Sequence, residues 1–169
     1  MATAEERLME WLRDAHAMEE QAETMLAALS RRIENYPDFK AQVDRHLQET
    51  REQARTVRAC IERRGGDTST LKDLTGKFVA TWQGISGAFV GDEIVKAGLA
   101  TYTFEQMEIG SYTILIAAAA EVGDMQTRSA CERLLDEERT MADWLIGNLP
   151  ALTGKYLARE ETPGVTAKH

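Results

Sequence analysis

Apolar residues recur along four long stretches of the chain at the three- and four-residue spacing of a helix that buries one side. Residues 4–34 place Leu8, Leu12, Ala15, Ala22, Leu26, Leu29 and Ile33 on one stripe with no internal Gly or Pro, which predicts a helix of about eight turns. Asn35-Tyr36-Pro37-Asp38 breaks the pattern, and Pro37 suits the first turn of a second helix. That helix runs to residue 64 on a stripe of Phe39, Val43, Leu47, Ala54, Val57 and Ile61, and Gly65-Gly66 ends it. A third helix spans 92–121. The fourth starts at Asp124, carries Ala130, Leu134, Leu135, Met141, Ala142, Leu145 and Leu149, and is expected to close at Pro150. Residues 151–159 are expected to add a short helix and 160–169 a disordered tail, leaving 1–159 as a single domain.

Between the second and third helices, residues 67–91 contain Leu71, Leu74, Phe78, Trp82, Ile85 and Phe89 among several glycines. They read as one or two short helices on a long connection. Two helical hairpins joined by one long crossover predict an all-α, ferritin-like four-helix bundle rather than a simple up-and-down one.

Within these stripes, acids stand where apolar residues belong. On the third helix Glu105 and Glu108 share a face with Ile94, Thr101, Tyr112, Leu115, Ile116 and Ala119. Glu19 falls on the centre line of the first stripe, Glu49 at the margin of the second beside His46, Thr50 and Gln53, and Glu138 in the middle of the fourth. Each lies near the midpoint of its own helix. In an antiparallel bundle midpoints share a level, so all five carboxylates converge. Packed together in a dry layer they would repel strongly, and hard cations remove the conflict by bridging them. The reading is a di-metal centre of iron, with manganese as the alternative. The competing reading turns some acids outward, or pairs them with Arg13, Arg45 or Arg139.

Composition narrows the function classes. A formal net charge of -8 and a pI near 5.0 argue against nucleic-acid and membrane-surface roles. The acidic start is no secretory signal, so a cytoplasmic location is expected. Cys60 and Cys131 lie far apart without metal-ligand spacing and read as buried thiols. GISGAFVG lacks the Lys-Ser/Thr of a phosphate-binding loop, and no serine sits in a nucleophile elbow or triad context.

The segments LRDAHAMEEQ, HLQETREQ, FEQMEIGSY and LLDEERTMADWL resemble the signature segments of ferritin-like proteins of the YciE/YciF type, over about residues 5–149. The resemblance implies a ferritin-like bundle, a homodimer, and a link to stress response without a settled activity. The wider ferritin- and rubrerythrin-like group carries one Glu on the first helix, Glu-x-x-His on the second and fourth, and, in rubrerythrin-like proteins, Glu-x-x-Glu on the third. Glu19, Glu49, the Glu105/Glu108 pair and Glu138 match the acidic positions. Glu52 and Met141 stand where the histidines are expected, and Met is a soft ligand for hard iron. His16 and His46, each one turn before a matched Glu, are candidate substitute ligands or partners that orient a carboxylate. Two functions follow as expectations: a metalloprotein that handles oxygen or peroxide, or a non-catalytic bundle that acts through assembly or a protein partner.

Overall fold

The computed structural model describes residues 1–67 and 94–167. Four α-helices make up its framework: α1 (Ala4–Arg32), α2 (Pro37–Arg63), α3 (Ile94–Glu121) and α4 (Met125–Glu160). The crossover residues Leu71 to Phe89, with the short helices expected there, lie outside the described residues.

Local signals set the ends. Thr3 and Glu6 form a reciprocal capping box on α1: the Thr3 N–H donates to Glu6 Oε2 at 2.7 Å, and the Glu6 N–H to Thr3 Oγ1 at 3.2 Å. Pro37 occupies the first turn of α2, where its missing N–H costs nothing. Between α3 and α4 the backbone turns at Gly123 with φ 74°, a conformation open to glycine, and the Asp124 carboxylate caps α4 by accepting from the Thr127 N–H at 3.0 Å. Gly98 serves a close approach: a Cβ there would stand 3.0 Å from Leu149 Cδ2 on α4.

Helix neighbours follow from the contacts. α1 packs on α2, α3 on α4, α1 on α3, and α2 on α4. Arg63 and Arg64 at the end of α2 meet Asp124 at the start of α4, while Lys155 near the end of α4 meets Asp38 at the start of α2. Those contacts make α2 and α4 antiparallel, so with the two hairpins every neighbouring pair is antiparallel and α2 and α3, on the diagonal, run the same way. The end of α2 and the start of α3 therefore lie at opposite ends of the bundle, as the one-crossover, ferritin-like topology requires.

The last helix differs from expectation. α4 does not close at Pro150 but continues to Glu160 as one helix. Pro150 is exposed, and the Ile146 carbonyl that loses its donor belongs to a residue 49% exposed. Beyond it, Leu152 and Tyr156 bury against the same apolar cluster as Phe39 and Leu145, and that burial carries the helix past the proline. Residues 161–167, where a disordered tail is expected from residue 160, follow a defined path: Tyr36 donates its hydroxyl to the Ala167 carbonyl at 2.5 Å, and Ala167 is buried.

The core is divided. One apolar cluster, with Leu8, Leu12, Ile61, Leu115 and Leu134, fills one end of the bundle, and a second, with Phe39, Val43, Ile94, Leu145 and Leu152, fills the other. Between them lies a polar layer.

Candidate metal centre

The polar layer is built by helix periodicity. On α1 the buried seam runs Leu12, Ala15, Glu19, Ala22, Leu26; on α2 Val43, His46, Thr50, Gln53, Val57; on α3 Thr101, Glu105, Glu108, Tyr112; on α4 Leu134, Glu138, Met141, Leu145. Steps of three and four residues keep each seam facing the bundle axis. Glu19, His46, Glu105, Glu108 and Glu138 are all at most 1% exposed.

At its centre, one ligand atom from each of His46, Glu105, Glu108 and Glu138 lies within 4.8 Å of all the others. His46 Nε2 stands 3.2 Å from Glu105 Oε2 and 3.5 Å from Glu138 Oε2, while its Nδ1 meets Glu49 Oε2 at 3.0 Å. Glu19 borders the group from α1, and Tyr112 donates a short hydrogen bond to its Oε1.

The structure thus brings together Glu105, Glu108, Glu138 and His46, with Glu19 alongside. Glu49 does not join them. Three residues past His46, it is rotated about 60° off the seam, its side chain is 40% exposed, and it touches the imidazole from behind. Glu52 is exposed and pairs with Arg55. His16 is buried but faces away: its Nε2 accepts from Arg58 Nε at 3.4 Å, and its Nδ1 lies 3.8 Å from Glu20 Oε2. Met141 accepts from Gln42 Nε2 at 3.3 Å through its sulfur. Cys60 and Cys131 are buried free thiols.

Electrostatics make the layer costly on its own. Burial, opposed by the Tyr112 hydrogen bond and His46, and reinforced by Glu105, lifts Glu19 to about 8. Burial and then mutual repulsion push Glu108 and Glu138 well above the usual carboxylate range. Burial alone would lower His46, but the charge of Glu105 close to Nε2 and the hydrogen bond to Glu49 outweigh it and raise the imidazole to about 10. Without a cation the layer holds one imidazolium beside Glu19, Glu108 and Glu138 forced toward their neutral form.

Hydrogen bonding does not resolve the cost. Glu19 Oε2, Glu105 Oε2, Glu108 Oε2 and both oxygens of Glu138 are buried with no hydrogen-bond partner among the described residues, since the contacts to His46 Nε2 are poorly directed. Each unmet oxygen costs about 1–3 kcal/mol. Five acceptor oxygens turned on one another beside an imidazole held at Nδ1 are a donor set suited to hard cations.

Comparison with known proteins places the chain. Residues 3–158 match the family described as a domain of unknown function, DUF892. The chain belongs to that family. It is similar to a protein of known crystal structure from Xanthomonas campestris pv. campestris, at 36% identity and a TM-score of 0.80, over 95% of this chain and 100% of the other. The stress protein YciF of E. coli matches at 20% identity and a TM-score of 0.71, over 92% of this chain and 99% of its own. YcfI from Rhodopseudomonas palustris matches at 22% and 0.67, over 85% and 93%. At those identities the last two attest the fold, an all-α four-helix bundle of the YciF type, which the DUF892 chain was expected to have. No helix among the described residues is long and apolar enough to cross a membrane.

Proposed function

We propose that the layer is a centre for a pair of divalent metal ions, iron or manganese, in a ferritin-like bundle. The observation that carries this reading is the set of five buried carboxylate oxygens around His46 that have no hydrogen-bond partner among the described residues. Four carboxylates, from Glu19, Glu105, Glu108 and Glu138, balance the charge of two such ions, and His46 Nε2 supplies the nitrogen donor. Glu49 accepts from Nδ1–H and so presents Nε2 to the cation as a lone pair; Tyr112 fixes the rotamer of Glu19. When bound, iron or manganese supplies one-electron redox chemistry toward oxygen or peroxide, which suits a role in stress response like that named for YciF.

Metal content tests the proposal. Protein purified without added metal or chelator is expected to carry about two ions per chain by mass spectrometry, lost in the Glu105→Ala, Glu108→Ala double variant. Less than about a tenth of an ion per chain after anaerobic Fe(II) loading would contradict it.

An assembly role has its own support. From Ala97 to Ala120 the only charges on α3 are the buried Glu105 and Glu108, so its outer surface is uncharged and exposes Leu99 and Ile114. This face suits the homodimer that the resemblance implies. Sedimentation should then give a dimer that Ile114→Glu dissociates, and a monomeric wild type would remove this reading.

A further inference from the structure

The interior layer is sealed, yet its surroundings are not alike on all sides. On the α1/α2 seam arginines stand at the surface: Arg51 Nε is 2.8 Å from Glu23, and Arg58 lies beside both His16 and Glu20. A cation approaching there meets carboxylates already paired with arginines. On the outer face of α3, from Ala97 to Ala120, it meets no charge among the described residues.

The α2/α4 seam carries Arg63 and Arg133 toward the start of α4, but nearer its middle it is different. Glu137 precedes the buried Glu138, but one step of about 100° round α4 leaves it half-buried at the surface. It has no lysine or arginine partner among the described residues; its contact is Gln53, whose Nε2 donates to Glu137 Oε2 at 3.0 Å. Gln53 itself is fully buried, and its Oε1 is without a partner among the described residues. Gln53 shares the buried seam of α2 with His46, seven residues or two turns away, and Glu19 lies near enough to Glu137 for their charges to repel. Between solvent and the layer the α2/α4 seam thus offers a half-buried acid and, bonded to it, a buried amide whose oxygen has no partner among the described residues.

We propose that Glu137 and Gln53 are the admission port of the metal centre. A hydrated divalent cation is captured by the Glu137 carboxylate and passed across the Gln53 amide oxygen to Glu19 and Glu138, exchanging bound water for protein oxygen at each step. This rests on the metal reading above. The step is ligand exchange alone, with no electron transferred. Glu137 and Gln53 shape the rate of loading and leave the final coordination to the interior residues.

The test is stopped-flow loading of the chelator-treated full-length protein with Co(II), followed by its d–d absorbance, with endpoint stoichiometry by mass spectrometry. Glu137→Gln, which keeps an acceptor for Gln53, should load at least about tenfold more slowly and lose most of the salt dependence of the wild-type rate, at unchanged stoichiometry. Gln53→Met should slow loading while keeping that salt dependence. Glu23→Gln, across the bundle, should load like the wild type. Equal rates in the wild type and Glu137→Gln would overturn the port and leave the metal centre standing. A wild type that takes up no Co(II) and no Mn(II) would overturn both.

Discussion

His46 is held from two directions, and that determines what it can do. Glu49 accepts a hydrogen bond from Nδ1–H on the solvent side while Glu105 and Glu138 face Nε2 from within. Replacing Glu49 by Gln keeps an acceptor but removes its charge, and should weaken metal affinity by about 10- to 100-fold with little effect on folding, measured by competition with a chromophoric chelator. Tyr112→Phe strands Glu19 with neither oxygen bonded and should cost about 1–3 kcal/mol in a chelator-treated protein by urea unfolding, less when metal is bound. The sequence made Glu19, Glu105, Glu108 and Glu138 legible because an acid on an apolar seam violates periodicity. It made the roles of His46 and Glu49 harder to separate, since Glu49 matches a family position whereas the seam belongs to His46, Thr50 and Gln53. Glu137 carried no signal: beside a seam acid, a half-exposed one reads as ordinary surface until Gln53 is seen to reach it.

At the scale of elements, Asp124 ties three helices' ends together. Its carboxylate caps α4, accepts from Arg63 Nη2 at 2.8 Å and from Arg64 Nη1 at 2.5 Å, and Arg64 also reaches Glu5 on α1. Burial would raise its pKa, but the bonds from Thr127, Arg63 and Arg64 outweigh it and hold the group well below the usual carboxylate range. A carboxylate depressed in the folded state stabilises the fold above its unfolded pKa, and that contribution is lost as pH falls through the acid range. Asp124→Ala should therefore destabilise by about 2 kcal/mol at pH 7, the difference shrinking toward pH 2, as read by denaturant unfolding. An unchanged difference across that range would remove Asp124 as a charged cap. The start of α4 was readable from Gly123-Asp124. Its end was not, because the proline rule is local whereas Leu152 and Tyr156 are kept helical by distant packing on the far end of the core.

For the whole molecule, a bundle with two apolar ends and an ionisable middle has a stability set by what fills that middle. Glu19 raised to about 8 and His46 raised to about 10 both bind protons more tightly folded than unfolded. Their contribution is present at low pH and lost as pH rises through those values, so the chelator-treated protein should melt at lower temperature at pH 9 than at pH 6. Saturating Mn(II) should reverse that trend, because the cation binds the deprotonated donors of the folded state. A pH-independent melt without metal would mean that the layer is screened in some other way. The four long helices and the two hairpins were legible, since each rests on periodicity and breakers that act within a few residues. How the layer's atoms face one another was not, because it depends on side chains from four separate elements.

Anomalous diffraction from crystals soaked in Mn(II) tests the central claim most directly. Two peaks among His46, Glu105, Glu108, Glu138 and Glu19, at about 2.0–2.3 Å from their oxygens and Nε2, are predicted. Peaks confined to the surface, with the five interior side chains bonded to one another or to water, would contradict it.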